Sequence, residues 1–196
     1  VHRASNGAFD PTVGPLVELW GFGTHGEQSA PDSVAVAAAL ARVGLDKCHI
    51  AGGRIEMDSD SMRLDFSAIA KGYGVDLVAR VLQRNGCSDY MVEIGGEINA
   101  RGLNPQGQPW RIQIDAPLTD VDGHTTHDRL MVVELRDAAM ATSGNYRNYR
   151  NMPDGKRIGH TISAVTGYPV VTSTLSVTVV ASECALADAI ATAAMA

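Results

Sequence analysis

The chain has 196 residues, of which 45 % are hydrophobic and 19 % charged, with a formal net charge of −6. That is a globular composition for one domain or two small lobes sharing a core, and an acidic balance without a basic run excludes nucleic acid or an anionic membrane surface as the main partner. Three cysteines without metal-type spacing exclude a disulfide framework or zinc knuckle and read as buried thiols, and no window of about eighteen uncharged apolar residues offers a membrane span.

From the start, "SNGAFD" reads as a turn, and "PTVGPLVELWGFG" as loop chemistry broken by Pro11, Gly14 and Pro15. The signal Pro31-Asp32-Ser33 opens a helix over about 32–43 that ends at Gly44. "HIAGGRIEMDSDSMRLDFS" reads as two strands joined by the polar turn "DSDS" and leading to Asp65. Ile69, Val75, Leu77, Val78, Val81 and Leu82 form a helical stripe over 68–85, stopped by Asn85-Gly86. Gly72 and Gly74 lie in its first turns, where each costs about 1 kcal/mol against alanine, so close approach of another group is the expected reason for them.

"DYMVEIGGEINARGL" reads as a strand that meets a glycine pair and continues, with Gly95-Gly96 a bulge, a tight bend or a ligand approach. "WRIQIDAP" and "RLMVVELRD" alternate as half-buried strands around a polar loop, 119–128. "AMATSGNYRNYRN" is a short strand running into a Ser-Gly turn, "IGHTISAVTGYPV" a strand with a turn, and "STLSVTVVASE" a clear strand before a helix starting near Ser182 or Glu183. This order suits an α+β layer arrangement, a mixed or antiparallel sheet core packed with helices.

Asp188 and Thr192, four apart on the last helix, share one face and form either a local hydrogen bond or two ligands of one cation. Aspartate, threonine and backbone carbonyls are hard oxygen donors that suit magnesium or calcium and not zinc. The alanines around the pair leave room for another backbone segment. His160 is open to two readings, a structural residue or a base.

Taken together and in order, "GAFDPTVGPL", "LDFSAIAKGYGVD", "EIGGEI", "ATSGNY", "GHTISAVTGYP" and "SVTVVASECALADAIATA" make the chain resemble the ApbE-like family of FAD:protein FMN transferases over nearly its whole length. The resemblance implies a T-fold-related architecture with the flavin site in a cleft, and a single catalytic domain over 1–196. It implies transfer of FMN from FAD to a threonine or serine hydroxyl of an acceptor flavoprotein, such as a membrane quinone reductase or electron-transport subunit, with release of AMP. A magnesium-dependent FAD pyrophosphatase and a non-catalytic FAD-binding protein are the alternatives.

By the same resemblance Ala8, Phe9, Asp10, Asp65, Lys71 and Ile162 contact FAD, while Ala68 through its carbonyl, Asp188, Ala191 through its backbone and Thr192 hold Mg²⁺, with Ca²⁺ able to substitute. His160 is the candidate base. After the histidine the family usually has an Asp or Asn and a Pro before "TGYP", where this chain has Ser163-Ala164-Val165-Thr166. The start "VHRASNGAFD" and the end within "ATAAMA" are expected to be cut ends, lacking an N-terminal portion that covers the flavin ring. Family members imply a periplasmic protein tied to the inner membrane by a lipid anchor.

Overall fold

A computed structural model describes residues 1–23, 30–118, 120, 124, 126–146, 148–152, 155 and 157–196. The chain divides into two compact units. Unit 1 comprises Val1–Phe66, Asn148–Ser173 and Ala196; unit 2 comprises Ser67–Arg147 and Thr174–Met195. The elements are α+β, and every strand pairing among the described residues is antiparallel.

In unit 1, helix α1 spans Gly14–Leu19 and α2 spans Ser33–Leu40. The sequence reading took the α1 segment as loop. Pro15 instead sits in the first helical turn, where its missing N–H belongs to a group that has no intrahelical partner anyway. Asp32 caps α2 as expected, its side chain accepting from the Ala35 N–H at 2.7 Å. Leu16, Trp20, Val36, Ala39, Val43 and Ile162 form the core of this unit, and Leu16, fully buried, contributes about 1.5–3 kcal/mol by burial alone. Trp20 Nε1 donates to the Gly167 carbonyl at 2.8 Å. Gly167 has φ +80°, and a Cβ there would lie 2.8 Å from Val36 Cγ1, so only glycine fits.

Strands β1 (Cys48–Ala51) and β2 (Arg54–Met57) pair with Ala51 opposite Arg54. Their turn is therefore Gly52-Gly53, with φ of +57° and +75°, and not the expected "DSDS". A two-residue hairpin loop needs left-handed backbone at both positions, which glycine adopts freely. Strands β8 (Tyr149–Asn151) and β9 (Arg157–Gly159) complete the unit with a second short hairpin.

In unit 2, helix α3 runs over Ala70–Arg84, strand β3 over Tyr90–Ile94 and β4 over Glu97–Arg101. The chain reverses at Gly95-Gly96, with Ile94 opposite Glu97, where the sequence reading continued one strand. Both glycines have positive φ, the same device as at 52–53. Strands β5 (Trp110–Asp115) and β6 (Arg129–Leu135) form a hairpin. Half of the expected loop 119–128 between them falls outside the described residues. Strand β7 (Ala138–Gly144) carries Ser143-Gly144 inside its end, and the turn follows them. With β10 (Ser176–Ala181) it completes a four-stranded sheet in the order β10-β7-β4-β3, and helix α4 (Cys184–Met195) follows.

Period-two alternation divides this sheet. Ile98, Ala100 and Met140 bury against Ile112, Ile114 and Leu135 of the β5–β6 hairpin. On the other face Val92 and Ala139 meet Val75 of α3 and Cys184 of α4. Of the cysteines, expected to be buried, only Cys184 is; Cys87 is exposed and Cys48 half-buried, and all three are free. Burial and the neighbouring acids push the Cys184 thiol up to about 12, so it stays protonated.

Asp76 of α3 is buried and takes three donors. Its Oδ1 accepts from the Cys184 N–H and from Asn99 Nδ2, both at 3.0 Å, and its Oδ2 from the Ala185 N–H at 2.9 Å. The first N–H groups of α4 thus find their acceptor on α3 and not on a local cap. Asp76→Ala leaves them without it, and urea denaturation is expected to show a loss of about 3 kcal/mol. Asp76→Asn, which keeps acceptor capacity at one oxygen, is expected to lose less.

Candidate functional site

Four polar groups of unit 2 converge where α3 begins. Asp188 projects from α4 at 4 % exposure, and its Oδ2 accepts from the Gly72 N–H at 3.1 Å. Gly72 is the third residue of α3, so this N–H has no partner within its own helix. A Cβ at Gly72 would stand 2.5 Å from the Cys184 carbonyl oxygen and 2.8 Å from the Ala185 nitrogen. The glycine is there to let the two backbones touch, as the sequence suggested. Gly74 is less constrained, its Cβ position lying 3.4 Å from Ile94 Cδ1.

Lys71 Nζ lies 2.7 Å from Oε2 of Glu97, a nearly inaccessible side chain on the first residue of β4. The contact is a close charge pair, and Oε2 has no partner besides Lys71 among the described residues. Thr192, one turn after Asp188, shares a 3.0 Å hydroxyl contact with Ser143 of β7. Ala191 is fully buried, and Ala68 is half-buried in the turn just before α3.

Burial raises the pKa of both acids. For Asp188 the Gly72 N–H and the Lys71 charge oppose the rise. For Glu97 Lys71 opposes it, while the Asp188 charge adds to it. No group of three His, Cys, Asp or Glu side chains arranged to hold a metal occurs among the described residues.

Of the residues singled out from the sequence, Ala68, Lys71, Asp188, Ala191 and Thr192 belong to unit 2, and Ala8, Phe9, Asp10, Asp65, His160 and Ile162 to unit 1. Asp10 is buried and occupied within its own unit. Its Oδ1 accepts from the Thr12 N–H at 2.8 Å and the Thr12 hydroxyl at 2.6 Å, and its Oδ2 from the Leu45 N–H at 3.2 Å. Thr12 Oγ1 in turn accepts from the Gly44 N–H at 2.7 Å. Asp65 is half-buried and its N–H donates to the Pro11 carbonyl at 2.7 Å. The Ile162 side chain lies in the core, which leaves its backbone as the part available to a ligand.

His160 Nδ1 lies 3.1 Å from the Asn148 carbonyl, with the Phe22 ring edge-on to the imidazole. A carbonyl only accepts, so the neutral ring carries its proton on Nδ1 and Nε2 is the basic nitrogen. Ser163 Oγ accepts from the Thr166 N–H at 3.2 Å and the Val165 N–H at 3.3 Å. The serine therefore caps its own turn. Sequence reasoning left Glu97, Ser143 and Asp76 unassigned. The one local signal was for Glu97, a polar position alternating with the apolar Ile98 and Ala100 in β4; Asp76 lies on a helix and had none of that kind.

The α+β fold with antiparallel sheets is shared with flavin transferases of known structure. The ApbE family model matches residues 1–196, and the chain belongs to the ApbE family. A Vibrio cholerae relative named FAD:protein FMN transferase is 44 % identical over 189 residues, covering 96 % of this chain and 55 % of its own length. A Klebsiella pneumoniae protein of the same name is 40 % identical, covering 94 % of this chain and 52 % of its own length. The chain thus spans about half the length of the curated relatives it matches. The solved flavin transferase ApbE from Vibrio cholerae superposes with a TM-score of 0.84 at 42 % identity, over 99 % of this chain and 60 % of that one. The ApbE protein from Thermotoga maritima does so at 0.87 and 31 % identity, over 99 % and 61 %.

The raised carboxyl pKa of Asp188 has a sign that can be measured. A group whose folded pKa lies above its unfolded one binds more protons when folded, so it contributes least stability once ionised at higher pH. In chelator-treated protein, the stability of Asp188→Asn relative to wild type is expected to improve as pH rises from about 4 through neutrality. Chemical denaturation at a series of pH values checks this; a flat or falling difference contradicts it.

Proposed function

We propose that the chain is the catalytic part of a magnesium-dependent FAD:protein FMN transferase. The reading is supported above all by Asp188, a buried carboxylate with a raised pKa beside Lys71 and a helix-start N–H, in a chain of the ApbE family. In the reaction the hydroxyl oxygen of a threonine or serine on the acceptor bonds to the FMN phosphorus of FAD. The bond from that phosphorus to the bridging oxygen breaks, and AMP leaves with the electron pair.

The oxygen donors fit a hard divalent cation, because a buried carboxylate with a single N–H partner is stabilised by a nearby positive charge. Asp188, Thr192, the Ala68 carbonyl and the backbone at Ala191 would hold Mg²⁺ or, in its place, Ca²⁺, which when bound supplies neutralising charge to the diphosphate. Lys71 adds a positive charge for the same phosphates, its side chain being about half exposed. His160, with Nδ1 tied to a carbonyl, takes the hydroxyl proton at Nε2. Ala8, Phe9, Asp65 and the Ile162 backbone are the proposed FAD contacts, with Asp10 holding the 8–10 segment through its bonds to Thr12 and Leu45.

The same resemblance extends the proposal to acceptor flavoproteins of membrane quinone reductases or electron-transport chains, and to a periplasmic setting at the inner membrane through a lipid anchor. No helix among the described residues is long and apolar enough to cross a membrane.

Full-length protein, FAD, Mg²⁺ and a candidate acceptor, followed by mass spectrometry for added FMN, test the reading. Asp188→Ala is expected to abolish transfer while thermal unfolding stays cooperative; transfer at the wild-type rate removes the metal role. His160→Ala is expected to slow transfer by about 10²–10⁴-fold with FAD affinity little changed. Prompt AMP release without acceptor would favour the pyrophosphatase.

A further inference from the structure

We infer that Glu97 is a positioning residue, its carboxylate holding the Lys71 ammonium in the orientation that meets the diphosphate of FAD. The inference deepens the proposed function and rests on its assignment of Lys71 to FAD.

The pair is one-sided. The Glu97 side chain is 2 % exposed and the Lys71 side chain 46 %, with Nζ and Oε2 2.7 Å apart. A lysine on open surface is well hydrated and samples many rotamers. Here the far end of the chain is fastened to an immobile acid while part of it faces outward. Glu97 is immobile because it opens β4, in register opposite Ile94, directly after the Gly95-Gly96 reversal. A Cβ at Gly95 would lie 3.4 Å from Lys71 Cδ and 3.8 Å from Glu97 Oε2, so the turn also passes the lysine stem closely.

Stability does not account for such an acid. Burying a carboxylate costs more than its partner returns unless the geometry is complete, and a packed apolar side chain in its place is often as stable or more so. Oε2 has no partner besides the half-exposed Lys71 among the described residues, so this geometry is incomplete. A ligand phosphate arriving at Lys71 would share the ammonium's remaining donors, since nitrogen carries three and the acid engages one side of it.

The test is a double-mutant cycle read by FAD affinity, with flavin fluorescence titrated on the full-length protein at constant Mg²⁺ and without acceptor. Lys71→Met is expected to weaken FAD binding about tenfold or more. Glu97→Gln, close to isosteric, is expected to weaken it about five- to tenfold with thermal stability held or raised, and to add nothing in the Lys71→Met background. A Glu97→Gln loss that persists in full in that background overturns the inference, as does unchanged affinity in Glu97→Gln while Lys71→Met binds poorly. Unchanged affinity in Lys71→Met overturns the assignment of Lys71 itself. Should Glu97→Gln not fold, Glu97→Asp runs the same cycle, with a smaller loss that must again vanish without Lys71.

Discussion

Unit 2 depends on a reciprocal exchange between two helix starts. Helix α3 sends Asp76 to the first N–H groups of α4, and α4 sends Asp188 back to the third N–H of α3. Each acid satisfies donors that the other helix cannot satisfy within itself, at the end where the helix dipole favours negative charge. The exchange needs backbone contact, and Gly72 permits it by having no side chain where the Cys184 carbonyl lies. The alanines of α4 serve the same closeness against the sheet, with Ala187, Ala189 and Ala191 all buried. A residue such as Leu at any of these positions would separate the elements by more than a hydrogen bond tolerates.

That exchange also sets the chemistry. An aspartate used only to satisfy one N–H would be stable at the surface, yet Asp188 is buried with its pKa raised. Glu97 is buried nearby under the same penalty, increased by the charge on Asp188. Two buried acids within one small region, the charge of one adding to the cost of the other, leave a standing deficit of positive charge, and Lys71 makes up only part of it. Regions of this kind are found where a ligand supplies the remainder, which is why the polar cluster is read as a site and not as a structural network.

Much of this was legible in the residues and some was not. The bounds of α3, the cap at Asp32, the strands β5 and β6 and the α4 start all rest on local signals, and they stand within a residue or two of their expected places. The apolar stripe of α3 is buried only in part, with Leu77, Val78 and Val81 exposed. The glycine pairs misled because a Gly-Gly step serves a bulge, a bend or a hairpin equally well, and only the partner strand decides. The α1 segment misled through Pro15, which breaks a helix interior but suits a first turn, and six residues carry too little periodicity to tell the two apart. Glu97 and Asp76 were hidden for a different reason. Their partners lie 26 and 108 or 109 residues away in the chain, and no spacing rule reaches that far.

Unit 1 shows how a motif acid can be consumed by the backbone that surrounds it. Both carboxylate oxygens of Asp10 are engaged by Thr12 and Leu45, and Thr12 passes the connection on to Gly44. The segment 8–10 is thereby fixed to the loop that follows α2, at buried positions where each bond contributes more than it would in water. Ser163 follows the same logic in the turn before Gly167, satisfying two N–H groups where an acid would have brought a charge. Carrying a family's residue roles onto a chain by motif alone therefore conflates side chains that touch a ligand with those that hold the backbone that does. Hydrogen-bond occupancy differs between them: both oxygens of Asp10 are taken within its own unit, whereas Asp188 accepts from one N–H and Lys71 stands half-exposed beside Glu97.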